Sequence, residues 1–162
     1  MKLAVPFLAV VTMTTASFGF AASTPSPSPT LDQLQSISRS SHDFAYDAAR
    51  LAQEATANHL SDVSDTAYRV GHHAFHLGDE AWNVSLDLDK SPESPHRIIM
   101  DDEYHHATEE FASLRTLVET YASSPQAAGL QASFDRLRVD GHQMRAAMEA
   151  IAVQPLADPF DR

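Results

Sequence analysis

The chain has 162 residues, no cysteine and a formal charge of −11 at pH 7 with its nine histidines neutral. Without cysteine there are no disulfides, thiolate metal sites, cysteine-linked lipid anchors or covalently attached c-type haem. The acidity argues against nucleic acid and anionic membrane surfaces as partners, since a field of this sign repels phosphate. It suits metal ions, cationic partners or plain solubility.

The first element, residues 1–21, reads MKLAVPFLAVVTMTTASFGFA. One early lysine precedes an apolar run, and Gly19 and Ala21 place small residues at the cleavage-determining positions. This is the pattern of a secretory signal peptide cut after Ala21. It predicts a periplasmic or secreted protein with no stable membrane insertion after removal of the signal. The mature chain of about 141 residues is long enough for one domain with a real core. Residues 22–30, ASTPSPSPT, alternate proline with small hydroxyl residues and predict a short extended spacer.

Four amphipathic segments follow, each with apolar or small residues at steps of three and four. Segment one, 31–58, has the seam Leu34, Ile37, Ser41, Phe44/Ala45, Ala48, Leu51/Ala52 and Ala55. Segment two, 62–88, has Val63, Ala67, Val70, Ala74, Leu77, Ala81, Val84 and Leu88, with Ser61 as its N-cap. Segment three, 97–122, has Met100, Tyr104, Ala107, Phe111, Leu114, Val118 and Tyr121. Segment four, 126–153, has Leu130, Phe134, Leu137, Gly141, Met144, Met148 and Ile151, with Ser124 and Pro125 as cap and proline start.

The connections are short, which forces neighbouring helices to run antiparallel. The fold class is therefore all-α, an antiparallel up-down-up-down four-helix bundle over residues 31–153. Residues 154–162, with two prolines after Gln154, form a tail expected to lie along the surface. The seams are rich in alanine, with Gly141 in the fourth, and this predicts close helix packing.

DKSPESP, residues 89–95, sits between the second and third helices of an exported bundle. It resembles the loop at the same place in cytochrome b562, a periplasmic four-helix bundle with non-covalent haem. The resemblance implies that compartment and topology. That family ligates haem with a methionine early in helix one and a histidine late in helix four. Segment one here has no methionine, with Leu34 nearest the expected place, and His142 projects away from its seam. Haem is therefore not expected. A ferritin-like di-iron centre is not expected either: Glu103-x-x-His106 has the right spacing, but a second helix carrying such a pair is lacking. No nucleophile–base set or phosphate loop is present, so no enzymatic activity is expected.

The histidines cluster in VGHHAFHLGDE, 70–80, and EYHHATEE, 103–110. At 100° per residue, His72 and His76 lie opposite the seam of segment two, one turn apart. His73, His76 and Glu80 form an i, i+3, i+7 stripe on one flank. On segment three, His105 faces outward and His106 lies on the like-handed flank, bordered by Asp102, Glu109 and Glu110. If those flanks meet, heptad counting from the 89–95 loop places Glu80 level with Ala107. Glu80 then approaches His106, with Glu110 within a turn, and His73 lies two turns too far to share an ion. If the bundle turns with the opposite hand, the flanks do not meet. His42, His59, His96 and His142 are scattered and read as structural or surface residues. Phe75, Gly78 and Trp82, on the other flank, predict packing against segment one.

Imidazole and carboxylate together are ligands for Zn²⁺, Cu²⁺ or Ni²⁺. The candidate metal ligands are His72, His73, His76, Glu80, His106 and Glu110. The functional expectation is an exported, acidic, histidine-rich bundle that binds or buffers a divalent transition metal. The alternative is a non-catalytic envelope interaction protein with a protein partner, its histidines incidental or pH-responsive.

Overall fold

The computed structural model describes residues 28–86, 94–127, 129–152 and 154–161. The predicted signal peptide, most of the spacer, the predicted seam position Leu88 and residues 89–93 of the DKSPESP stretch lie outside these. The described residues form an all-helical bundle: α1 (Leu31–Ala57), α2 (Ser61–Leu86), α3 (Pro95–Tyr121) and α4 (Leu130–Glu149). No helix among the described residues is long and apolar enough to cross a membrane.

Local chemistry sets the helix ends. Thr30 and Gln33 form a reciprocal capping box: Gln33 N–H donates to Thr30 Oγ1 at 3.2 Å, and Thr30 N–H donates to Gln33 Oε1 at 2.8 Å. At the other end of α1, His59 adopts φ 60°, the left-handed region, and Leu60 N–H reaches back to the Ala55 carbonyl at 2.9 Å. This is a Schellman stop with histidine in the place glycine usually takes. Pro95 begins α3, where its missing N–H costs nothing. α4 starts later than its sequence pattern predicts. Pro125–Ala127 forms a single 3-10 turn, and Ser124 Oγ bonds Gln126 rather than capping a helix.

All seam positions predicted within the described residues are buried, except that Tyr121 and Ile151 are half-buried. α1 packs on α2 and α4, and α2 packs on α3. Each pair runs antiparallel. Gly71 faces Ala45 and Ala48 while Gly78 faces His42. His73 meets Glu103 while Glu80 meets His96. Gln33 Nε2 donates to the Ala150 carbonyl, and Ser133 Oγ donates to Glu54. The small seam residues permit these close approaches: a Cβ on Gly71 would sit 3.3 Å from that of Ala48.

α3 and α4 scarcely touch. The tail lies between them, exposed or half-buried as expected of a surface tail except at Phe160, where that expectation is corrected. Phe160 is fully buried, its ring centroid 4.7 Å from Phe111, 5.7 Å from Phe44 and 5.8 Å from His142. Gly141 provides the space, since a Cβ there would overlap the Phe160 ring. Arg115 donates to the carbonyls of Pro159 and Asp161, and Arg145 donates to Asp158 and the Leu156 carbonyl. The tail therefore completes the core beside the Phe111–Phe134 stack, through which α3 and α4 meet with centroids 5.4 Å apart.

Candidate metal centre

The flanks of α2 and α3 that carry histidine do meet. His72 and His76, exposed and one turn apart on α2, place their rings 4.5 Å apart and nearly perpendicular. His73 is next, 5.5 Å from His72. It crosses to α3, where its Nδ1 is 2.7 Å from Glu103 Oε2 and its ring is 5.2 Å from His106. His106 lies 6.0 Å from His105, and His105 Nε2 is 3.1 Å from Glu109. Five imidazoles thus form one row from the outer face of α2 to the outer face of α3, flanked by two glutamates.

The register differs from the heptad count. Glu80 does not approach His106: its Oε2 is 2.6 Å from His96 Nδ1. His73, expected to be too far away, is instead the residue opposite His106. Counting layers assumed that both helices end level at the loop. In fact α2 continues to Leu86, six residues past Glu80, while α3 begins at Pro95, one residue before His96. The offset slides α3 by about three turns against the predicted pairing. Glu110, also a candidate ligand, is drawn to Arg69 Nε at 3.0 Å. Of the six predicted ligands, His72, His73, His76 and His106 fall in the row, and Glu80 and Glu110 are each paired elsewhere.

Three further partners lie outside the predicted ligand set. Glu103 is the i−3 neighbour of His106. The pairing of His96 is not legible from periodicity, because its level depends on where α3 starts. The third group is His142, Asp158 and Asp161, whose ligand atoms all lie within 4.8 Å of one another. It joins α4 to the folded-back tail, and nothing in the helical pattern signals that return. Its Asp158 Oδ2 is already 2.7 Å from Arg145 Nη1, a cation in the place a metal would take.

The row suits a divalent transition ion by its donors. An imidazole pair one turn apart can chelate a surface ion, and His73, His106 and Glu103 bring two nitrogens and a carboxylate to one helix–helix groove. His72, His76, His105 and His106 are exposed; as placed, no three ligand atoms of the row lie within 4.8 Å of one another. No family model, curated protein or solved structure matches the chain.

Proposed function

We propose that this protein is an exported, acidic helical-bundle protein that binds or buffers a divalent transition metal, Zn²⁺, Cu²⁺ or Ni²⁺, on the α2/α3 face. The observation that carries the reading is the unbroken row of five imidazoles, with successive centroids 4.5, 5.5, 5.2 and 6.0 Å apart. Isolated solvated histidines have no reason to line up across two helices. Imidazole is a good ligand for these three ions, and the surrounding negative charge raises the local cation concentration.

Two classes of ligand set divide the work. His72 and His76 form an i,i+4 clamp on α2. His73 and His106, with Glu103, form an inter-helix set that would tie α2 to α3. The function is binding, so no catalytic residues are assigned. Export rests on the N-terminal segment, and the acidic surface supports a partner that is neither nucleic acid nor membrane.

Calorimetric titration of tag-free mature protein with Zn²⁺, Cu²⁺ and Ni²⁺ tests this directly. H72A/H76A is expected to lose one class of site and H73A/H106A the other, with both folds intact by circular dichroism. Elemental analysis of protein isolated from its own compartment should then find one of these metals. Equal uptake by wild type and by the variant lacking all four histidines would overturn the reading and leave His142, Asp158 and Asp161 as the source of any binding.

A further inference from the structure

The opposite flank of α2 carries a different chemistry. A groove of about 450 Å³ runs between α1 and α2. Ala45 and Ala49 of α1 and Gly71 of α2 line it where the two helices come closest. Three aromatic residues also line it: Tyr46 from α1, and Tyr68 and Phe75 from α2. They are 73%, 67% and 51% exposed, so most of each ring surface faces solvent. Tyr68 and Phe75 are two turns apart, about 10 Å along α2. Tyr46 stands across from the stretch between them. His42 packs on Phe75 at 5.1 Å between ring centroids.

No lysine, arginine or carboxylate lines the groove. Carboxylates stand just outside it with a regular placement. Asp65 precedes Tyr68 by three residues, and Asp79 follows Phe75 by four. Each is thus one helical turn from a ring, where i,i+3 and i,i+4 residues are surface neighbours. Asp79 also holds His42 at 3.2 Å. On α1, Arg50, one turn past Tyr46, is engaged by Glu54 at 3.2 Å, and Arg39 lies one turn before His42.

Several exposed ring faces, an apolar floor and two carboxylates of α2 set back from the contact surface define the ligand. An anion would meet the field of a chain of charge −11. A compact ammonium would prefer its own hydration to an apolar floor. A cation whose charge is spread over alkyl groups loses little hydration, gains the attraction of ring quadrupoles and is drawn in by the outer carboxylates. The volume is within the range of small-molecule sites. Two copies of a chain with charge −11 repel one another, which disfavours self-docking at this face.

We propose that the α1/α2 groove binds an organic cation of the quaternary or alkyl-substituted ammonium class, held by Tyr46, Tyr68 and Phe75. The site lies beside the imidazole row and shares His72 with it.

The test uses metal-free full-length mature protein and two probes of equal shape, choline and the neutral 3,3-dimethylbutan-1-ol, titrated by calorimetry at fixed ionic strength. Choline is expected to bind saturably and about tenfold more tightly than the alcohol, because only the cation engages the ring quadrupoles. Y68A and F75A should each weaken choline by about tenfold, whereas Y68F, which keeps the ring, should stay within about twofold. All three positions are exposed, and circular dichroism checks the fold. Equal binding of both probes, or choline binding unchanged in Y68A and F75A, would overturn the proposal. So would a dimer, seen by sedimentation, that Y46A/F75A abolishes and choline does not dissociate, for the groove would then be a self-association surface.

Discussion

Asp140 on α4 faces two carboxylates across the α1/α4 contact. Burial lifts its pKa to about 6, and the negative charge and hydrogen bond of Asp47, then the charge of Asp43, push in the same direction. The folded-state value lies above the ordinary 3.8. Between these two values the native state holds a proton that the unfolded chain has released. The contribution is therefore fully present below the lower value and is lost as pH rises through the upper one. Asp140→Asn keeps a hydrogen-bond donor toward Asp47 and removes the charge. Its melting temperature is expected to exceed wild type at about pH 7.5, with the gain vanishing near about pH 4. Thermal melts of both proteins across that range check the prediction, and a pH-independent difference would contradict it.

Among the elements, α1 ends on a residue under backbone strain. His59 occupies φ 60° with a full side chain, exposed, while Leu60 closes the Schellman bond. Glycine adopts this conformation without the Cβ penalty. His59→Gly should stabilise the bundle by roughly 0.5–1 kcal/mol in denaturant unfolding. A loss of stability would mean that the imidazole makes a contact worth more than the strain. The same stop shows what the sequence could reveal about elements. The seams of all four helices were legible because burial at steps of three and four is a local property of each helix. Which residues sit beside one another across helices was less so. Glu80 was matched to the level of His106 and meets His96 instead, since register depends on helix overhang at a loop rather than on periodicity. The hand of the bundle, left open by periodicity, brings His73 to Glu103 and His106. The late start of α4 has a similar origin: Pro125 begins a turn, but Gly129 and the 3-10 geometry delay the helix to Leu130.

Across the whole molecule, the bundle is closed by a segment that is not a helix. α3 and α4 meet through few residues, chiefly the Phe111–Phe134 stack, and Phe160 with its arginine-held backbone adds a layer beside it. Nothing in QPLADPFDR marks Phe160 as core, because a single aromatic residue between prolines and aspartates has no periodicity to read. Phe160→Ala should cost about 3–5 kcal/mol, the range for truncating a buried aromatic side chain. Urea unfolding measures it, and a loss below about 1 kcal/mol would show that the layer closes without the ring. The contact of Phe44 with Phe160 spans 116 positions, whereas α1 with α2, and α2 with α3, pair through near neighbours in the chain. Loops of that length close late, after local hairpins have formed. Seating of the tail is therefore expected to follow the folding transition state. In stopped-flow kinetics Phe160→Ala should accelerate unfolding and leave the refolding rate almost unchanged. The last layer of the core would then act as a latch on an already folded helical frame, setting how long the native state persists rather than how fast it is reached.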